Sequence, residues 1–259
     1  MKSLLLDMAL RTLLAPVAVL PRRWRRRFLQ LFVEWEERRG TPADALRFLL
    51  SSDDDLARAV NRAAVRYEGG THPKHRLTRY HDFFVRHIDP GARVLDVGSG
   101  KGELSADIAA RVEGCEVVGI DLSPENAQRA REACSAPNLR FVAGDALRDV
   151  PEGRFDVVVL SNVVEHIEPR VALLRRLAAA TEASRFLVRV PLSERHWTVA
   201  LRKELDLPWF SDPTHRVEYT QEQIERELQD AGLRVTEIEL RWGEAWLVCE
   251  PAVPAGGKD

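Results

Sequence analysis

Val94-Leu95-Asp96-Val97-Gly98-Ser99-Gly100-Lys101-Gly102-Glu103 runs from an apolar strand through a glycine-rich turn into the start of a helix. Glycines allow positive φ and let a ligand come close to the backbone. Spacing decides which ligand. The dinucleotide fingerprint wants its third glycine at position 103, which is Glu103. The phosphate-binding P-loop wants Ser or Thr after its lysine, and Lys101 is followed by Gly102. Neither diphosphate reading fits. Asp96 instead sets a carboxylate just before the loop, a good neighbour for a cationic or hydroxyl-rich ligand.

Outward from this loop, short β-branched runs alternate with helical stretches. Strands are expected at Arg93–Val97, Glu116–Ile120, Leu139–Val142, Phe155–Leu160, Phe186–Val190, Leu233–Leu240 and Ala245–Cys249. Helices are expected at Glu103–Val112, Pro124–Cys134, Arg170–Thr181 and Gln221–Ala231. Alternating βα units predict a parallel sheet with helices on both faces. The short turn at Trp242-Gly243-Glu244 makes the last two strands an antiparallel pair. The fold class is therefore α/β, a doubly wound, seven-stranded, mostly parallel sheet of Rossmann-like type. Such sheets bind ligands at the carboxyl ends of their strands.

Three more strand ends carry chemistry. The second ends in Gly119-Ile120-Asp121-Leu122-Ser123, with Asp121 19 residues past Gly102 and placed to accept from a ribose diol. The third ends in Gly144-Asp145-Ala146, where Asp145 can accept from an exocyclic amine and Ala146 can offer a backbone N–H. The fourth leads into Ser161-Asn162-Val163-Val164-Glu165-His166. In order and spacing these blocks resemble the class I S-adenosylmethionine-dependent methyltransferase family over roughly residues 70–250, and most closely its bacterial small-molecule and glycan branch. The resemblance implies S-adenosyl-L-methionine as cofactor. It places Asp96, Gly98, Ser99 and Gly100 at the methionine end, Asp121 and Leu122 at the ribose, and Asp145 and Ala146 at the adenine. Asn162 joins the cofactor set at the end of the fourth strand.

Methyl transfer needs alignment more than acid–base work, because the leaving thioether is neutral. A base is needed only if the acceptor carries a proton. His166, Glu165 and His215 are the candidates, with His215 ahead of His166. Glu165 and His166 are one pair of ligands, which falls short of a site, so no metal is expected. The run Gly70–His81 holds three cations and three histidines without an acid. His72, Lys74, His75 and Arg79, with Tyr219 further on, are candidate acceptor-binding residues; a solvated basic face is the competing reading. Thr220 reads as the N-cap of the helix at Gln221. The long connection Pro191–Pro208 reads as a lid.

The N-terminal 69 residues read as a helical accessory segment, and residues 70–259 as the methyltransferase domain. Charge divides along the same line. The whole chain has 38 Lys+Arg against 40 Asp+Glu, a net −2. Residues 1–40 hold nine basic and four acidic side chains, leaving the remainder at −7. Asp7, Arg11 and Pro16 interrupt the apolar run Leu4–Leu20, so it is neither a membrane span nor a convincing signal peptide. With the arginines of Pro21–Phe28 it suits an interfacial helix over residues 1–28, at the inner face of the membrane of a cytoplasmic protein. Packing on its own domain or a homodimer contact are the other readings. Ser52 with Asp53–Asp55 suggests a fresh helix start after one opened by Thr41-Pro42. Three scattered cysteines, Cys115, Cys134 and Cys249, argue against a disulfide framework or zinc cluster.

The function expected is methyl transfer to an oxygen or nitrogen of a small-molecule or saccharide acceptor, lipid-linked or free. The alternatives are a non-catalytic cofactor-binding module and a nucleic-acid methyltransferase. The fourth strand lacks the Pro-Pro-aromatic turn of amino-methylating base enzymes, and near-zero net charge gives no nucleic-acid footprint, so no nucleic-acid partner is expected.

Overall fold

A computed structural model describes residues 8, 12 and 14–252. The apolar-face reading of residues 4–20 lies largely outside these. The chain forms two compact units, one from residues 1–70 with Leu201–Pro208, the other from Thr71–Ala200 with the chain from Trp209 onward.

The first unit contains α1 (Arg22–Glu37) and α2 (Pro42–Tyr67). Thr41 caps α2 as its sequence suggests: its hydroxyl accepts from the Asp44 N–H, and Asp44 returns to the Thr41 N–H. The expected restart at Ser52 does not occur, and α2 runs straight through it. Ser51 and Ser52 turn their hydroxyls back onto the carbonyls of Arg47 and Phe48, so neither serine caps a new helix. Asp53 and Asp54 instead meet the buried guanidinium of Arg202, which also donates to the Leu50 carbonyl. The connection read as a lid is therefore divided, its last eight residues folding with the helical unit. No helix among the described residues is long and apolar enough to cross a membrane.

The second unit is built on a seven-stranded sheet of order β3-β2-β1-β4-β5-β7-β6. The strands are β1 (Arg93–Val97), β2 (Glu116–Asp121), β3 (Leu139–Ala143), β4 (Val157–Ser161), β5 (Arg185–Pro191), β6 (Leu233–Arg241) and β7 (Glu244–Pro251). The first five are parallel, and β7 lies antiparallel between β5 and β6. Trp242 and Gly243 both take positive φ, 56° and 75°, in the tight turn that joins the hairpin.

Alternation along each strand sorts the core into two layers. Leu95, Val97, Val158, Leu160 and Phe186 face α7 (Arg170–Thr181) and α9 (Gln221–Asp230). Val94, Val157, Val159 and Leu187 face α4 (Tyr80–Arg86) and α5 (Glu103–Arg111). Continuous apolar runs are what a parallel strand covered on both faces requires. One exception is Arg189 in β5, 5% exposed, which holds Glu244 of β7 by two bonds of 2.7 and 2.6 Å and lies 3.8 Å over the Tyr80 ring.

Thr220 caps α9 with Gln223 as its reciprocal partner. Replacing Thr220 with Ala is expected to cost about 1 kcal/mol of stability, measured by urea denaturation.

Candidate active site

The parallel register brings the ends of β1, β2, β3 and β4 to one edge of the sheet. Gly98 leaves β1 at φ +70°, and a Cβ there would come within 2.6 Å of a Val163 methyl. Only glycine lets this loop pass so close to the turn after β4. Gly102, at φ +86°, similarly backs onto the Phe141 ring, while nothing lies within 4 Å of the Cβ position at Gly100. The loop is thus packed on its protein side and open on the other.

Asp96 is 2% exposed and accepts from the Ser105 hydroxyl at 2.5 Å. Burial pushes its carboxyl up to about 7, with the nearby Asp121 charge adding to the effect. Asp121 accepts from the Gly100 N–H at 2.8 Å and the Ser123 N–H at 2.9 Å, which ties the loop to the tip of β2. The Asn126 amide donates to it as well, at 3.3 Å, so of a carboxylate's roughly four acceptor positions about one remains for a ligand hydroxyl. Asp145 accepts from the Leu147 N–H at 2.9 Å, which fixes the turn after β3. Between these two acids lies a cleft of about 80 Å³ lined by Gly98, Ile120, Leu122, Asp145, Ala146 and Val163. Its largely apolar walls suit a flat heterocycle. The Ser99 hydroxyl and the Asn162 amide oxygen are buried without a hydrogen-bond partner. Buried polar atoms are rarely left so, and both lie where the methionine end of the cofactor is expected.

Beyond Val163 a single 3-10 turn, Val164–His166, carries the next group. Glu165 is fully buried, and neither carboxylate oxygen has a partner. Burial raises its carboxyl to about 8. The Glu165 carbonyl accepts from the Arg216 N–H at 2.7 Å, which pins the segment bearing His215 against the turn. The rings of His166 and His215 meet edge to face at 4.6 Å between centroids. His215 is 7% exposed, with Nδ1 3.1 Å from Glu218. Glu218, 3% exposed, also accepts from the Ser211 N–H and hydroxyl and from the Arg195 guanidinium. His166 Nδ1 lies 3.0 Å from the Thr214 hydroxyl, and burial with the neighbouring His215 lowers its basicity. The three residues singled out around β4 and after β5 therefore form one cluster.

The other candidates fare differently. Tyr219 is fully buried and donates to Glu227 at 2.9 Å, a packing position. His75 meets His81 at 3.1 Å and Tyr80 at 2.9 Å, and burial with the adjoining His81 lowers it to about 4. Arg79 pairs with Asp82, and Arg111 with Asp82 and Asp107. Within the acid-free run of residues 71–81, Arg79 is thus answered by Asp82 of α4 and His81 by Asp107 of α5. These groups line a cleft of about 370 Å³ that includes His75, Arg79, His81 and Glu103. His72 and Lys74 are not among its lining residues. Sequence reasoning missed Glu218, Arg189 and Glu244. A lone arginine inside the apolar run Phe186–Val190 was the available signal for the last two.

The family model of a methyltransferase domain matches residues 70–238. The chain belongs to the class I S-adenosylmethionine-dependent methyltransferases. It is 31% identical over 173 residues to a ubiquinone biosynthesis O-methyltransferase of Azorhizobium caulinodans, covering 62% of this chain and 67% of that one. It is 37% identical over 109 residues to a demethylmenaquinone methyltransferase of Beutenbergia cavernae, covering 42% and 44%. The fold is shared with magnesium protoporphyrin IX methyltransferase of Synechocystis, solved with S-adenosylhomocysteine bound, at a TM-score of 0.54 and 20% identity over 67% of this chain and 83% of that one. The putative methyltransferase bound to the Haloferax volcanii Trm112 activator matches at 0.57 and 18%, over 74% and 96%.

S-Adenosylmethionine supplies a methyl group on a sulfonium centre. A class I methyltransferase must hold that molecule's ammonium, and Asp96 beside the open face of the loop fits the task. Between the ordinary carboxylate pKa and about 7, the folded protein binds a proton at Asp96 that the unfolded chain releases. Its stabilising contribution is therefore full in acid and lost as pH rises through about 7. A bound ammonium favours the ionised form. Affinity for S-adenosylhomocysteine is expected to fall about tenfold per pH unit below 7, with proton release on binding, measured by titration calorimetry in two buffers. Asp96→Asn is expected to flatten that dependence.

Proposed function

We propose that this methyltransferase acts on an oxygen of a small-molecule acceptor, taken up beside the Glu165–His166–His215 cluster. One observation carries the reading. Glu218, a buried carboxylate, faces Nδ1 of His215 and holds the proton there. In the neutral ring Nε2 is then the nitrogen with a free lone pair. An acceptor hydroxyl can pass its proton to that nitrogen as the methyl moves, and Glu218 stabilises the imidazolium that forms. The arrangement follows the base-and-orienter logic of a catalytic triad without its nucleophile. The first named relative is, by its name, an O-methyltransferase of ubiquinone biosynthesis, which favours a phenolic or similarly acidic hydroxyl. The sequence match spans 67% and 44% of the lengths of the two curated relatives. His215→Ala is expected to lower kcat about 100-fold or more while affinity for S-adenosylhomocysteine stays within about twofold. Full turnover in that variant would remove His215 from the reaction.

A second reading concerns the N-terminal segment. Trp24, Phe28, Leu31 and Trp35 recur at helical spacing along α1, each roughly half exposed, and α1 buries none of its residues. Arg22, Arg23, Arg25, Arg26 and Arg27 flank that stripe. We infer contact with an anionic lipid surface, the aromatic stripe entering the interface and the arginines meeting headgroups. Cosedimentation with phosphatidylserine-containing vesicles is expected for the full chain and is expected to be lost on changing the four apolar residues to Ser. No cosedimentation of the unaltered protein would end this reading.

A further inference from the structure

We propose that Trp197 and Trp242 form a second acceptor subsite, which holds a flat ring attached to the group that is methylated. This inference rests on the acceptor reading of the Glu165–His166–His215 cluster and adds a further ring to that acceptor.

Trp242 is a strained residue. Arg241 and Glu244 are paired across the β6–β7 hairpin, so its loop is the two residues Trp242 and Gly243. Both take positive φ, as in a type I′ turn, where the favoured pair is Asn-Gly. Gly243 suits its place. Trp242 does not, because left-handed backbone is costly for a bulky side chain. The indole recovers little from burial, since it is 68% exposed. The folding of the hairpin does not explain a strained, exposed tryptophan at its tip, and such positions gather where ligands are held.

Its place in the sheet points the same way. β5 runs parallel to β4, and Pro191 at its end is paired with Glu244 at the start of β7. The hairpin tip therefore lies at the edge where the glycine loop and the Glu165–His166 turn emerge. It is fastened to the segment that follows β5. The Leu192 N–H donates to the Gly243 carbonyl at 2.8 Å, and a Cβ at Gly243 would come within 2.6 Å of the Arg195 Cβ. Arg195 reaches from this junction to Glu218, which faces His215. Two residues beyond Arg195 is Trp197, 69% exposed. The His196 ring packs on it at 5.9 Å between centroids and is itself tied to the Thr198 hydroxyl at 2.7 Å. Both indoles thus flank one junction, and a single arginine links that junction to the residue that orients the proposed base.

The occupant follows from reach and shape. The path from the junction to His215 runs along the Arg195 side chain and the Glu218 carboxylate, longer than one phenol ring covers. An acceptor that meets both ends carries a further group. Indoles present large flat faces, whose best-matched partner is another flat ring, stacked offset or edge to face. A phenol joined to a second ring system fits both ends.

The test uses the full chain loaded with S-adenosylhomocysteine and titrated by calorimetry with two probes. Catechol has one ring, and quercetin joins a catechol to a second ring system. Quercetin is expected to bind about tenfold tighter than catechol. That preference is expected to disappear in the Trp197→Ala/Trp242→Ala double variant and to be largely kept in Trp242→Phe. S-Adenosylhomocysteine affinity within about twofold of the parent guards against misfolding. Trp242→Asn separates ligand from fold. Asparagine suits the turn, so the melting temperature is expected to rise while the quercetin preference falls about threefold. Equal affinity for both probes in the parent, or a preference that survives the double change, overturns the subsite. Loss of cosedimentation with phosphatidylcholine vesicles in that surviving variant would reassign the indoles to a lipid surface. A lower melting temperature in Trp242→Asn with the preference intact also overturns it, by making the indole a structural device. Methylation is read separately from binding. Methylated catechol with no quercetin preference would sink the subsite and leave the proposed function standing. A preference lost in the double variant, with neither probe methylated, would do the reverse.

Discussion

The contact between Gly98 and Val163 sets the geometry on which the rest depends. β1 and β4 are parallel neighbours, so the loop after one and the turn after the other emerge side by side. Val163 occupies the space that a Cβ at Gly98 would need. The cofactor loop and the Glu165–His166 turn are thereby held at van der Waals distance. Methyl transfer depends on the approach of two reactants, and misplacement of about 1 Å can cost about 100-fold in rate. The backbone of this pair of strand ends fixes the spacing of the loop and the turn.

Around this junction the protein buries charge in pairs. Arg189 holds Glu244 by two hydrogen bonds, and Arg195 donates one to Glu218 and another to the Trp209 carbonyl. Buried pairs contribute little net stability against an apolar replacement, although removing one partner alone costs several kcal/mol. Their value here is positional. Glu218 sets the orientation of His215, and Arg195 and Ser211 set that of Glu218. Glu165 stands apart because nothing answers it. The Asp96 carboxyl, raised to about 7, is likewise less comfortable in the free protein than it would be beside a cation. The site stores its cost at the positions where ligands are to come.

Much of the α/β unit was legible in the sequence because its signals are local. β1 and α7 match the expected bounds, and the other strands and helices shift by one or two residues, where fraying and hydrogen-bond criteria decide. The strand-end blocks read as the cofactor side stand out in the sequence for the same reason: each carries its own glycine or acid. The acceptor side was not. Glu165 and His166 are 49 residues or more from His215, and their meeting depends on a backbone bond from Arg216. The burial of Tyr219, the pairing of His81 with Asp107, and the meeting of Asp53 and Asp54 with Arg202 all follow from tertiary partners. No window of sequence displays those. Leu201–Pro208 joining the helical unit is a case of the same kind.

The placement of β7 has a consequence for the order in which the molecule can be made. The strand that flanks β5 is the last one among the described residues, and it brings Glu244 to Arg189 and the Gly243 carbonyl to the Leu192 N–H. During synthesis the first five strands, with the whole cofactor edge, are complete while β5 still presents an open hydrogen-bonding edge and an uncompensated guanidinium. A ribosome-bound chain ending before residue 244 would thus carry the glycine loop and the strand ends around it ahead of the strand that covers β5.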